Sequence, residues 1–123
     1  MLSVLLLYFR TNKMTMKDLQ QALKQKTFRW LPKHLNHIAE NIVFKKRNVS
    51  FLAINALFRV EGTESGQNDA PYEDSFWIKG FLNALPNDQL RLKSESIEVV
   101  FQIDRNFNII PITAYSENDE KTI

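Results

Sequence analysis

Two stretches in the first half of the chain carry apolar residues at helical spacing. In residues 16–26 the apolar stripe consists of Met16, Leu19, Ala22 and Leu23. Thr15 stands three residues before Asp18, which is the spacing of a capping box at a helix N-terminus. Residues 32–44 repeat the periodicity behind Pro32, a residue that the first helical turn tolerates. The pattern predicts two amphipathic helices.

The period changes to two after residue 48. Residues 48–60 are apolar on both alternating faces for most of their length, which favours a long central strand. Residues 61–74 contain turn formers and acids with almost nothing to bury. Such a composition predicts a mobile surface loop.

The second half of the chain contains further alternating segments. Polar and apolar residues alternate over most of residues 75–85, which favours a strand. The alternative is a helix, since Lys79 and Asn83 are one helical turn apart. Residues 90–92 begin another extended piece, and 97–103 and 107–115 alternate as two strands joined by a turn. Pro111 lacks an amide donor, so the last strand is expected at a sheet edge.

The order of these elements predicts an α+β fold. Two N-terminal helices pack on one face of a four- to five-stranded antiparallel sheet. Residues 14–115 form one domain, 1–13 an N-terminal extension or edge strand, and 116–123 a solvated tail. The element order resembles that of the cystatin-like and NTF2-like architectures. That resemblance implies that a curved sheet is one form the fold can take.

Composition excludes several kinds of chemistry. The chain has 123 residues and no cysteine, which rules out thiol catalysis, disulfides and thiolate metal sites. Its three glycines, Gly62, Gly66 and Gly80, are too scattered for a phosphate-binding loop. The apolar run at residues 2–9 is too short to span a bilayer. We therefore expect a cytoplasmic protein without a membrane partner.

Charge is distributed unevenly along the chain. Residues 1–60 hold eleven basic and two acidic side chains, a net +9, whereas residues 61–123 hold five and twelve, a net −7. Weak electrostatic binding of nucleic acid through the basic half is one alternative function. The basic residues for that contact are Lys24, Lys26, Arg29, Lys33, Lys45, Lys46 and Arg47.

Candidate catalytic and metal-binding patterns are incomplete. His34 and His37 lie three residues apart but lack the further ligands of a zinc site. Asp104, with Asn106 and Asn108, copies the start of a calcium loop, but the glycine and glutamate that such a loop needs are missing. A hairpin turn explains these residues without an ion. Glu98 falls on the polar side of its strand and is expected to be solvated. We expect no catalytic residue, no metal and no cofactor.

Aromatic content favours binding of another protein. The chain contains nine phenylalanines, two tryptophans and three tyrosines. Trp30, Trp77 and Phe107 lie near predicted turns or element ends, where aromatic side chains frequently anchor interfaces. The leading hypothesis is a non-catalytic, accessory or inhibitor-like domain that associates with another protein, most simply with itself as a homodimer.

A cone-shaped domain with an apolar pocket is the alternative from a different class. It would bind a small molecule or act as an enzyme, with Asn55, Phe58 and Phe101 lining the pocket. Asn55 draws attention because a buried amide on an apolar strand face needs a partner.

Overall fold

Three helices precede four strands in the part of the chain that the structure describes. The computed structural model describes residues 14–83, 94–117 and 119. Its elements in chain order are α1 (Met16–Gln25), α2 (Pro32–Phe44), α3 (Phe51–Leu57), β1 (Glu64–Gln67), β2 (Phe76–Leu82), β3 (Glu95–Ile103) and β4 (Ile109–Ser116). The α+β class is confirmed, and the sheet is uncurled. The predictions for 1–13 and 90–92 lie outside the described residues.

The two predicted helices are confirmed as α1 and α2. The carboxylate of Asp18 accepts hydrogen bonds from the backbone N–H of Thr15, at 2.7 Å, and from its hydroxyl, at 3.0 Å. This is the expected capping of the α1 N-terminus. Lys26 ends the helix in the left-handed conformation, with φ of 54°. The α1 stripe buries Leu19 and Ala22 against the sheet.

The central strand predicted over 48–60 is wrong, because residues 51–57 form α3. Ser50 caps this helix, accepting a hydrogen bond from the backbone N–H of Ala53 at 3.1 Å. The residues buried by the segment recur at helical spacing: Ser50, Ala53, Ile54, Leu57 and Phe58. Where nearly every position is apolar, periodicity alone does not separate a buried helix from a buried strand. The Ser50 cap and the high helix propensity of Ala53 and Ala56 favour the helix.

The loop predicted over 61–74 contains a strand. β1 pairs antiparallel with β2, with Gly66 opposite Trp77. The remaining loop is closed by side chains, because Asn68 donates to the Ser75 hydroxyl at 2.7 Å and that hydroxyl donates to the Tyr72 carbonyl at 2.8 Å. Backbone pairing and polar turn contacts thus order a segment that has little apolar surface to bury.

The four strands form an antiparallel sheet in the order β1-β2-β3-β4. The predicted strands in 75–85, 97–103 and 107–115 are confirmed as β2, β3 and β4. The register of β3 with β4 shifts between Val100 and Phe101, opposite Pro111. Pro111 lies in the edge strand β4, as expected. Beside it, Ile109 exchanges backbone hydrogen bonds with residues 27 and 29, which cover that part of the edge.

All three helices pack on one face of the sheet, and the core lies between them. Phe58 and Phe101 meet there edge to face, with ring centroids 5.2 Å apart. Gly80 allows α3 to approach β2, since a Cβ at that position would stand 2.7 Å from the Thr63 methyl and 3.1 Å from Leu57 Cδ1. Among the described helices, none is long and apolar enough to cross a membrane.

Candidate functional site

The sheet has a second face, which we call the outer face, that points away from α1, α2 and α3. Alternation along β2, β3 and β4 directs one set of side chains into the core and the other set to this face. The outer-face residues of these three strands include Trp77, Lys79, Phe81, Glu98, Val100, Ile110, Thr113 and Tyr115. None of them belongs to the apolar core that the helices cover.

A row without charged residues crosses the middle of the outer face. It contains Gly66, Trp77, Val100 and Thr113, which are successive cross-strand neighbours from β1 to β4. The indole of Trp77 lies over Gly66, where a Cβ would stand 2.9 Å from Cζ2 of the ring. The absence of a side chain at Gly66 therefore allows the ring to lie against the sheet.

A second row, which contains three charged residues, runs beside the first. It lies two residues later along β2 and β4 and two residues earlier along β1 and β3, because the strands are antiparallel. Glu64, Lys79, Glu98 and Tyr115 are its cross-strand neighbours. The hydroxyl of Tyr115 donates a hydrogen bond to Glu98 Oε2. Partial burial, followed by the hydrogen bond and the negative charge of Glu98, raises the pKa of Tyr115. The expectation that Glu98 is simply solvated is therefore wrong, because it is half-buried and bound by Tyr115.

Arg47 fixes the β4 side of this row. Its guanidinium donates to the Ala114 carbonyl at 3.0 Å and to the Thr113 hydroxyl at 3.2 Å. The same group lies 5.9 Å from the centre of the Tyr115 ring. Arg47 thereby connects the end of α2 to the edge strand and restricts the Tyr115 side chain.

Phe81 extends the apolar character of the outer face towards the end of β2. It lies opposite Ser96 and is 59% exposed. Other large apolar residues are as exposed but lie on other elements, including Phe44 at the end of α2 (79%) and Tyr72 in the β1–β2 loop (67%). What distinguishes Phe81 is its position on β2, on the same face of the sheet as Trp77.

The three predicted interface anchors lie in different environments. Trp77 is on the outer face. Trp30 instead stacks on Phe28, with centroids 5.9 Å apart, and meets Phe51 edge to face at 5.5 Å. Phe107 occupies the β3–β4 turn with φ of 61° and packs against the core. The structure therefore brings neither Trp30 nor Phe107 to the outer face.

The three predicted pocket residues do not share a strand face. Asn55 lies on α3, and its side-chain oxygen accepts a hydrogen bond from Arg59 Nε at 2.9 Å, one helical turn away. This i to i+4 pair satisfies the amide on the helix surface. Phe58 and Phe101 are 4% and 0% exposed and fill the space between α3 and the sheet with their own rings.

The seven cations of the predicted nucleic-acid surface fall into separate groups. Lys24, Lys26 and Arg29 lie where α1 meets the β3–β4 turn, and Lys33 is exposed in the first turn of α2. Lys45 and Lys46 are exposed after α2, beside Arg47. Arg47 itself is only 4% exposed, because its guanidinium binds β4. That burial does not fit a phosphate contact from Arg47.

The residues that resembled metal sites have local partners. The Asn41 side-chain amide donates to His37 Nε2 at 3.1 Å, and burial, followed by the charges of Lys33 and His37, lowers the pKa of His34. Asp104 Oδ1 accepts from the backbone N–H groups of Asn106 and Asn108, each at 2.9 Å. The interpretation of Asp104, Asn106 and Asn108 as a hairpin turn is confirmed.

Periodicity along the chain does not reveal that Lys79, Phe81, Glu98 and Tyr115 share one surface. Alternation placed Glu98 on the correct side of β3, but its pairing with Tyr115 depends on the register of β3 with β4. Comparisons of the chain with protein-family models, curated proteins and solved structures find no match.

Proposed function

We propose that this chain is a non-catalytic association domain that pairs with a second copy of itself through the outer face. The supporting observation is the register of the two central strands. Trp77 lies opposite Val100, and Lys79 lies opposite Glu98, on the same face of the β2–β3 pair. Across these two strands an aromatic residue is thus the neighbour of an aliphatic one, and a cation is the neighbour of an anion.

This register makes the face complementary to itself. Consider two copies that meet face to face, with a two-fold axis parallel to the strands and midway between β2 and β3 in the plane of contact. This axis places β2 of each copy over β3 of the other copy. It stacks each Trp77 on Val100 of the other copy and each Lys79 on the other copy's Glu98. Each of these two residue pairs then occurs twice in the interface, as symmetry requires of every isologous interface.

Apolar and charged residues would contribute differently to the free energy of association. Aromatic and aliphatic side chains at the centre supply apolar area, which contributes about 25 cal/mol per Å² buried. The two Lys79–Glu98 contacts contribute mainly orientation, since charge pairs in interfaces select register more than they add affinity. Packed sheets are rotated by about 30° because each sheet twists. Alignment is best near the centre of the face, where these four residues lie.

Light scattering coupled to size-exclusion chromatography tests this function. The wild-type chain should elute at twice its 14.4 kDa mass. Phe81→Glu adds a charge to the outer face, and we expect a monomer. Phe44→Glu is the matched control, because Phe44 is even more exposed but lies on α2, and we expect it to remain a dimer.

Two outcomes would contradict the proposal. A wild-type chain that stays monomeric at high micromolar concentration has no self-association to explain. A dimer that Phe44→Glu dissociates and Phe81→Glu leaves intact uses another surface. Circular dichroism of each variant is the control for retention of the fold.

A further inference from the structure

Glu98 stands between two candidate partners on the outer face. Lys79 on β2 is its neighbour on one side, and Tyr115 on β4 is its neighbour on the other. The three side chains line one small depression, together with Ser96 and Glu117. Directly opposed residues of an antiparallel pair have Cβ atoms about 4.5–5.5 Å apart, which is close enough to interact. Glu98 can therefore pair either with a cation or with a hydroxyl of its own chain.

Within one chain Glu98 pairs with the hydroxyl. Tyr115 donates a hydrogen bond to Glu98 Oε2. In the part of the chain that the structure describes, Lys79 forms no salt bridge with Glu98 or with any other acid. The carboxylate is thus held from β4, although the cation on β2 is equally its neighbour in the register.

Arg47 restricts the side chain that holds Glu98. Its guanidinium lies 5.9 Å from the centre of the Tyr115 ring, within the range of a cation–π contact, about 6 Å. The guanidinium is itself fixed, because it donates to the Ala114 carbonyl and to the Thr113 hydroxyl and is buried. The Tyr115 hydroxyl therefore reaches Glu98 from a ring that is held in place.

This arrangement leaves one group of each charge available to a second copy. Lys79 is exposed and has no counter-ion in its own chain among the described residues. The other carboxylate oxygen of Glu98, Oε1, accepts no hydrogen bond from those residues. An ion pair already formed within a chain would have to break before the same groups could pair between copies. Groups held in the conformation that binds avoid such costs.

We infer that Tyr115 is the positioning residue that makes Lys79 and Glu98 pair between copies instead of within one chain. This inference rests on the proposed self-association through the outer face. The hydroxyl occupies one oxygen of Glu98 and leaves the other for Lys79 of the second copy. Loss of the hydroxyl frees Glu98 to turn to Lys79 of its own chain, and both symmetry-related contacts weaken.

A double-mutant cycle on the dimer dissociation constant, measured by sedimentation velocity over a concentration series, tests the inference. Tyr115→Phe removes only the hydroxyl and should weaken the dimer about tenfold, because it affects both contacts. In the Lys79→Gln background the same substitution should change the constant by less than about twofold, since the cation that Glu98 binds is gone. Tyr72→Phe is the matched control. It removes the hydroxyl of an exposed tyrosine in the β1–β2 loop and should leave the dimer unchanged.

The single chain offers a separate test in the Phe81→Glu variant, which we expect to be monomeric. A crystal structure of Phe81→Glu combined with Tyr115→Phe should show Lys79 Nζ within about 4 Å of the Glu98 carboxylate, the distance of a salt bridge. Phe81→Glu alone should keep the Tyr115–Glu98 hydrogen bond and show no such salt bridge.

Three results would overturn the inference, and they are distinguishable. A wild-type monomer would remove the proposed self-association and this inference with it. A dimer that Tyr115→Phe weakens equally with and without Lys79 would keep the association but make Tyr115 a purely structural residue. A dimer that Tyr115→Phe leaves unchanged, or a Lys79–Glu98 salt bridge in Phe81→Glu alone, would show that the hydroxyl does not direct Glu98.

Discussion

Trp77 lies over Gly66, its neighbour across the β1–β2 pair. A Cβ at residue 66 would stand 2.9 Å from Cζ2 of the indole and 3.0 Å from Cε2. The short strand β1 is thereby covered by an aromatic ring from β2, and the ring is held flat on the outer face. Stability of the sheet edge and the shape of the proposed interface depend on the same contact.

Gly66→Ala is expected to displace the indole of Trp77. The added methyl overlaps the ring, and overpacking of this kind costs about 1–3 kcal/mol. Urea denaturation measures the loss of unfolding free energy. Ser65→Ala, on the adjacent residue whose side chain points to the other face, should change stability by less than about 0.5 kcal/mol. Equal effects of the two substitutions would mean that Trp77 is not held by this contact.

Ser50→Ala is expected to lower the unfolding free energy by about 1 kcal/mol, because it removes the cap of α3. Ser50→Thr keeps an oxygen acceptor and should recover most of the loss. Thermal denaturation followed by circular dichroism distinguishes the two. If residues 48–60 were a strand, the threonine would be at least as stable as serine, and no capping effect would appear.

The helices α1 and α2 and the strands β2, β3 and β4 were accessible from sequence, whereas α3 and β1 were not. Polar residues interrupt α1 and α2 at helical spacing, so their periodicity is readable. Residues 51–57 carry Asn55 as their only polar side chain, so helix and strand periods fit almost equally well. β1 contains no large apolar residue, and Trp77 of β2 packs over its Gly66. The register of β1 with β2 cannot be predicted from the residues of β1 alone.

Alkaline pH should destabilise the chain through Tyr115. Its folded-state pKa is raised above the ordinary value near 10. The stabilisation from the neutral hydroxyl is therefore complete below about pH 10 and is lost as pH rises towards the folded-state pKa. Tyr115→Phe should cost about 1 kcal/mol at neutral pH, the value of one hydrogen bond. The difference from wild type should shrink above pH 10 in urea denaturation. A constant difference across that range would contradict the Tyr115–Glu98 hydrogen bond.

Acid should weaken the β3–β4 turn through Asp104. Its folded-state pKa is lowered, so its stabilisation is present above the ordinary value near 4 and is lost as pH falls through the folded-state pKa. Asp104→Asn should cost about 1–3 kcal/mol at pH 7, because it removes charged hydrogen bonds. The wild type and the variant should converge as pH falls below about 4 and through the lowered folded-state pKa. Parallel stability curves would show that the carboxylate charge is not what holds the turn.

The candidate site was partly visible in the sequence. Trp77 and the polarity of Glu98 follow from alternation within single strands. The pairing of Lys79 with Glu98, and of Glu98 with Tyr115, requires the registers of β2, β3 and β4. Those registers result from long-range packing and from the irregularity opposite Pro111, so spacing along the chain does not reveal them.

Mixing two charge-reversal variants tests the central proposal most directly. Lys79→Glu alone places two carboxylates together at each contact between the copies, and Glu98→Lys alone places two ammonium groups together, so each variant should be monomeric by light scattering. An equimolar mixture restores opposite charges at both symmetry-related contacts. We predict a dimer of twice the 14.4 kDa chain mass in the mixture. Two folded variants that remain dimeric alone, or a mixture that stays monomeric while the wild type is a dimer, would contradict association through the outer face.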